Sequence, residues 1–188
     1  MKYKVMIKSS LSADGLGTPA ISLYYAGCDK KEYTGCFCPG CQNIEMQDKD
    51  IEMPAYYPEE IYRYVVQLLS DWRLISDSLV VAFIGGEPLT EYNKDCTKYI
   101  SSRLKKEYTD VTTILYTWRV IGDILGSNLE DYVDNIDECV LGDYREHLHD
   151  DNYLLGSKNQ FIYNFKRGEV ILKHKENTDV YIFKSQSY

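Results

Sequence analysis

Apolar positions in this chain follow two periods that take turns along its length. Continuous runs rich in β-formers read as strands, and stripes at three- and four-residue spacing read as helices. "AISLYYAG" (20–27) is a strand ending in glycine. "YPEEIYRYVVQLLSDW" (57–72) opens on Pro58, Glu59 and Glu60 and sets Ile61, Val65, Leu68, Leu69 and Trp72 on one stripe, which predicts a helix with a marked start. "SLVVAFIGGEPLT" (78–90) holds the unbroken apolar stretch of a strand covered on both faces, stopping at Gly85 and Gly86. "TEYNKDCTKYISSRLKKEY" (90–108) returns to helical spacing through Tyr92, Cys96, Tyr99, Ile100 and Leu104. "TTILYT" (112–117) is the next buried strand, a helix follows near 120–125, and "DECVLG" (137–142) is another short strand. Near the end, "QFIYNF", "EVILK" and "VYIFK" are short strands divided by "KRG" and "HKENTD", predicting a hairpin or small meander. No repeat, low-complexity segment or linker interrupts the series. The order predicts an α/β fold whose mainly parallel sheet forms a partial (β/α) barrel, in one domain over 1–188.

Composition narrows the function. A chain of 188 residues with 44% hydrophobic residues fills one core. Its net charge of −8 speaks against nucleic acid and against an anionic membrane surface, since both repel an acidic protein. "MKYKVMIKSS" has no apolar run of signal-peptide length, and no stretch approaches the roughly 18 apolar residues of a membrane span, so the expected location is the cytoplasm. In that reducing compartment, clustered cysteines point to a metal or to redox chemistry rather than disulfides.

Four of the six cysteines, Cys28, Cys36, Cys38 and Cys41, fall within fourteen residues, in the loop after the first strand named above. Cys38 and Cys41 form one Cys-x-x-Cys pair, and Cys36 stands a single residue from Cys38, a crowding that suits a zinc knuckle poorly. Spacing alone leaves open a zinc site, an iron–sulfur cluster and incidental thiols. In parallel α/β folds ligands bind where loops leave the carboxyl ends of strands. The cysteine loop and the Gly85-Gly86-Glu87-Pro88 turn both lie there, so the two are predicted to share a rim. Cys96 and Cys139, on apolar faces, read as core thiols. His147, His149 and His174 read as surface residues, and the acidic "NLEDYVDNIDE" (128–138) as a solvated helix face.

"AGC…CPGCQN", followed about 45 residues later by "FIGGEPL", resembles the radical S-adenosylmethionine superfamily. Within it the chain is most similar to the activating proteins of anaerobic ribonucleoside-triphosphate reductase and their small relatives, a likeness that continues through "ILYT", "LGDYREHLHDD" and "GSKNQFIYN". The resemblance implies a [4Fe-4S] cluster on Cys28, Cys38 and Cys41. Its fourth iron would be chelated by S-adenosylmethionine, with Gly85, Gly86 and Glu87 along the methionine moiety and Tyr116 and Thr117 as further cofactor contacts. It also implies reductive cleavage to a 5′-deoxyadenosyl radical, an electron donor such as flavodoxin or ferredoxin, and a partner glycyl radical enzyme, the anaerobic ribonucleotide reductase large subunit, whose glycine loses a hydrogen atom. Glycines suit that place because, without Cβ atoms, their backbone can approach a ligand closely.

Two departures from the family pattern stand out. Nine residues separate Cys28 from Cys38 where the usual motif has three. Six extra loop residues cost only about 1 kcal/mol, so "KKEYTG" reads as an enlarged loop with Cys36 a passenger or lid thiol; the rival assignment puts Cys36 in place of Cys28. Trp118 stands where relatives have glycine after "YT". Two other readings remain: a radical enzyme acting on another peptide or small molecule, and a non-catalytic zinc or iron–sulfur module.

Overall fold

The computed structural model describes residues 1–10 and 13–177. Strand β1 (Tyr3–Ser10) is followed by β2 (Ala20–Tyr25), helix α1 (Lys30–Thr34), the two-residue strand β3 (Ala55–Tyr56) and α2 (Pro58–Trp72). Then come β4 (Leu79–Gly85), α3 (Lys94–Glu107), β5 (Val111–Thr117), the short helices α4 (Ile121–Ile124) and α5 (Glu130–Val133), β6 (Glu138–Leu141), β7 (Phe161–Asn164) and β8 (Glu169–Lys173). The predicted helix starts hold: Pro58 opens α2, and the Glu60 carboxylate accepts the Tyr57 amide (2.8 Å), so a donor at the helix N-terminus is satisfied.

All eight strands form one sheet in the order β3-β1-β2-β4-β5-β6-β7-β8. The sheet is mixed, which corrects the expectation of a mainly parallel one. β2, β4, β5 and β6 run parallel. β1 pairs antiparallel with both β2 and β3, and the β7–β8 hairpin closes antiparallel on β6. The parallel neighbours are joined by crossover segments that hold helices, α2 before β4, α3 before β5 and α4 and α5 before β6, and the antiparallel pairs flank them. Among the described residues the sheet does not close into a barrel. The hairpin expected near the C-terminus is β7–β8, and the "VYIFK" segment lies outside the described residues.

Side chains alternate across the sheet. On one face Ile21, Leu23 and Tyr25 of β2, Val81 and Phe83 of β4 and Leu115 of β5 pack against Ile61, Val65 and Leu69 of α2 and Cys96, Ile100 and Leu104 of α3. Cys96 and Cys139 are core thiols as expected, 0% and 1% exposed. The other face carries a smaller cluster, with Ala20, Val80, Ala82, Ile114 and Val140 beneath Leu155 and Ile162. Among the described residues no helix of comparable length covers this face, which leaves room above it near the carboxyl ends of the parallel strands. No helix among the described residues is long and apolar enough to cross a membrane.

Candidate functional site

The cysteine loop is closed at its base by backbone hydrogen bonds. Gly27 donates to Met46 (2.7 Å) and Cys28 to Gln47 (3.1 Å), pinning the two ends together as β2 ends. The Gly85–Gly86 turn locks onto that base: Gly86 donates to Tyr25 (2.8 Å) and Glu87 to Gly27 (2.8 Å). A Cβ on Gly86 would strike the carbonyl oxygens of Gly27 and Met46 and lie 2.6 Å from the carbonyl carbon of Gly27. One on Gly85, where φ is +108°, would lie 2.5 Å from the Tyr25 amide nitrogen. The two glycines are thus demanded by backbone packed on backbone, apart from any ligand.

This junction opens onto a cleft of about 450 Å³ lined by Cys28, Cys38, Cys41, Gly85, Gly86, Tyr116, Thr117 and Trp118, within the size range of small-molecule sites. A larger apolar groove of about 750 Å³ between β1, α2 and residues 45–54 holds none of the sequence-predicted site residues. The cleft therefore brings together three cysteines, both glycines, Tyr116 and Thr117. Glu87 is the exception. Its side chain is fully buried: Oε1 accepts the Leu89 amide (3.0 Å), Oε2 accepts Thr117 Oγ1 (2.8 Å) and the Trp118 amide (3.2 Å), and Arg119 Nη1 lies 3.2 Å away. Burial still pushes this carboxyl above the ordinary range, against the pull of Arg119. Its carboxylate faces the protein rather than the cleft, and ties the turn after β4 to the end of β5.

The extra residues of the cysteine loop fold as α1, closed by Gly35 in the left-handed region (φ +82°). Buried Lys30 fastens the helix, its Nζ donating to Thr34 Oγ1 (3.5 Å) and the Cys36 carbonyl (3.4 Å) and lying 3.5 Å from Asp143 Oδ2. Cys36 is exposed, whereas Cys28, Cys38 and Cys41 are partly buried, and it does not line the cleft. Cys38 and Cys41 sit on a tight turn with the Cys41 amide bonded to the Cys38 carbonyl (3.2 Å).

A family model, the 4Fe-4S single cluster domain, matches residues 13–163, which span β2 through most of β7 and all four loop cysteines. The chain belongs to this 4Fe-4S single cluster domain family. No curated protein and no solved structure matches it.

The cysteines suit a cluster of that family. Burial pushes the Cys28 thiol up to about 12 and the Cys38 thiol to about 11. Neutral at pH 7 without metal, both would become thiolates once iron supplies the opposing charge. Cys28, Cys38 and Cys41 all line the cleft, and the charge of nearby Lys30 favours the Cys38 thiolate. Among the described residues, no three His, Cys, Asp or Glu side chains close on a single ion. A four-iron cluster asks for a different spacing, since its ligands bind separate corners of a cube rather than one centre.

The buried ion network of Asp29, Glu87 and Arg119 was not foreseen from sequence, nor was His149 on the cleft wall. His149 Nδ1 lies 2.7 Å from the Gly156 carbonyl and Nε2 2.8 Å from Asp151 Oδ1, which raises its pKa above the ordinary value. His174 departs from its surface reading. Its side chain is only 12% exposed and packs edge-on against Tyr153 with ring centroids 5.1 Å apart. The sequence held one usable signal for the network: Asp29 directly follows Cys28, Glu87 lies within the glycine turn, and Arg119 follows Trp118.

Proposed function

We propose that this iron–sulfur protein is a radical S-adenosylmethionine enzyme that installs a glycyl radical on a partner such as anaerobic ribonucleotide reductase, drawing its electron from a flavodoxin or ferredoxin in the cytoplasm. The observation that carries this reading is the shared cleft, which Cys28, Cys38 and Cys41 line together with the Gly85–Gly86 turn at the carboxyl ends of β2 and β4. A [4Fe-4S] cluster bound there supplies one electron to the sulfonium of the nucleoside cofactor. The chain's own residues hold and shield. The three cysteines would hold three of the cluster's irons, with the fourth left for the nucleoside cofactor. Gly85 and Gly86 present main chain along the methionine moiety, Tyr116 and Thr117 face the cleft beyond it, and Glu87 holds the turn and β5 together from behind. In this reading the parallel strands β2, β4, β5 and β6 are the part of a barrel wall that backs the cofactor.

The hydroxyl of Tyr116 donates to the Asp14 carbonyl (2.9 Å), and the Asp14 carboxylate accepts Ser22 Oγ (2.8 Å) and the Tyr24 hydroxyl (2.5 Å). These bonds tie β2 and β5 to the segment at Asp14 beside the cleft. The test is anaerobic. Reconstituted, reduced protein is mixed with S-adenosylmethionine and the candidate reductase, and the glycine-centred radical is sought by electron paramagnetic resonance. Its appearance supports the activase reading. Release of 5′-deoxyadenosine with no such signal would move the assignment to a radical enzyme acting on a different peptide or small molecule, the reading favoured by the enlarged cysteine loop and Trp118.

A further inference from the structure

The two places where this chain departs from its family pattern, the enlarged cysteine loop and Trp118, are in contact. Trp118 Nε1 donates to Asp29 Oδ1 (3.1 Å), and Arg119 Nη2 donates to Asp29 Oδ2 (2.5 Å). The Trp118 ring lies 6.0 Å from that of Tyr33 in α1, centroid to centroid, and the Arg119 guanidinium sits 4.6 Å from the Trp118 centroid and 5.8 Å from that of Tyr33. Asp29 and Arg119 are 5% and 4% exposed. Two acids, Asp29 and Glu87, therefore share one buried guanidinium, and the deficit is made up by the Trp118 indole and amide, the Thr117 hydroxyl and the Leu89 amide. A buried charge that loses its partner is costly, so the network favours this arrangement, in which Arg119 Nη1 makes no hydrogen bond and holds Glu87 through charge alone. Asp29 is the residue after Cys28. Trp118 also divides the cysteine cleft from a second chamber of about 250 Å³, which Tyr33, Leu89, Arg119, Asp123 and Asn128 line.

We propose that Asp29, Trp118 and Arg119 are positioning residues for Cys28: they clamp the first turn of the enlarged loop to the end of β5, so that its sulfur stays on the cleft wall while the inserted helix is carried outside. This rests on Cys28 being a cluster ligand. The physical need follows from loop length. A three-residue spacer is itself a tight constraint on its two cysteines, whereas a nine-residue spacer imposes almost none. The Cys28 amide bond to Gln47 holds its backbone to the loop base, and a second contact is needed to fix the turn that follows Cys28 relative to Cys38 and Cys41. Asp29 provides it through a side chain that spans 89 residues of sequence to Trp118 and 90 to Arg119. The indole supplies both a donor and a wide apolar face at the one position where a glycine would supply neither.

The test uses Trp118→Phe, which keeps a ring and removes the donor, and Asp29→Asn, which keeps the shape and removes the charge, each in the full chain. Three quantities are read: the melting temperature, amide hydrogen exchange of the peptide holding residues 26–33 in the cluster-free protein, and the electron paramagnetic resonance spectrum of the reduced, reconstituted cluster. The expected result is a fold that still melts cooperatively, with exchange at 28–30 faster by about tenfold, the change that loss of one charge-assisted hydrogen bond gives, and altered g-values. Exchange and spectrum like wild type in both variants would overturn the proposal. So would faster exchange spread evenly over β2, β4 and β5, which would make the network a general stabiliser rather than a clamp on Cys28. If wild type binds no cluster, or Cys28→Ala binds one normally, the cluster assignment fails instead; the exchange measurement, which needs no cluster, still decides whether Asp29 and Trp118 hold the Cys28 segment.

Discussion

Replacing Gly86 by alanine should damage this protein out of proportion to one methyl group. The backbone φ of Gly86 is not in the left-handed region, so the cost is crowding alone. The new Cβ would lie 2.6 Å from the Gly27 carbonyl carbon, and ordinary contact begins at 3.4 Å, so the base of the cysteine loop must retreat by about 0.8 Å. A retreat of that size takes the Glu87-to-Gly27 bond, now 2.8 Å, beyond hydrogen-bond length and disturbs the 2.7 Å bond from Gly27 to Met46. Losing two backbone hydrogen bonds at about 1 kcal/mol each, on top of overpacking of about 1–3 kcal/mol, gives about 3–5 kcal/mol. For a chain of this size that lowers the melting temperature by on the order of 10 °C. Gly126→Ala is the control. There φ is +71° and nothing lies within 4 Å, so only the strain of the left-handed region remains, about 1–2 kcal/mol. Thermal unfolding of the cluster-free variants by circular dichroism measures both. If Gly86→Ala melts no lower than Gly126→Ala, the close packing of the cysteine loop on the glycine turn is not what requires glycine there.

Arg119→Met should cost about 3–5 kcal/mol in urea unfolding, because it leaves the Asp29 and Glu87 carboxylates buried without a cation; a loss under 1 kcal/mol would mean that water reaches them. His149 should titrate above 6.5, since its protonated ring donates to both Asp151 and the Gly156 carbonyl. With a folded value above the unfolded one, its anchoring contribution is fully present below pH 6.5 and is lost as pH rises through the folded value. Proton NMR of the ring reports the midpoint, and Asp151→Asn should draw it back down. A wild-type midpoint at or under 6.5 contradicts the assignment. Iron bound after anaerobic reconstitution should be unchanged by Cys36→Ala and should fall severalfold in Cys28→Ala, because only Cys28 of the pair lines the cleft; equal losses would show that both thiols serve the metal.

The central strands and the two long helices were legible because they obey one local rule each. Leu79–Gly85 is apolar without a break because both of its faces are covered, and Ile61, Val65 and Leu69 mark a stripe that α2 buries. β1 is hidden from a local reading because Lys4 and Lys8 interleave with Tyr3, Val5 and Ile7, so no continuous apolar run marks its period of two, and the mixed character of the sheet is hidden with it. The rim shared by the cysteine loop and the glycine turn followed from the order of strands and helices. The reason for Gly86 did not, since nothing local tells that two carbonyls 40 and 59 residues away will press on it. Glu87 was read as facing a ligand because the motif is read in line. Its burial depends on Arg119 and Thr117, which arrive only when β5 docks beside β4. The Asp29–Trp118 contact is hidden for the same reason: two residues 89 apart in the chain, each odd on its own, explain one another only in three dimensions.

The proposed function requires that Cys28, Cys38 and Cys41 hold a four-iron cluster in the cleft they share with the Gly85–Gly86 turn. Its most direct test is 5′-deoxyadenosine released from S-adenosylmethionine by reduced, reconstituted wild type, Cys36→Ala and Cys28→Ala, each scored per cluster and per chain. The account predicts release by wild type and Cys36→Ala, and loss of at least a hundredfold per chain in Cys28→Ala. Release by Cys28→Ala with silence from Cys36→Ala, or no cleavage by a fully loaded wild type, would contradict it.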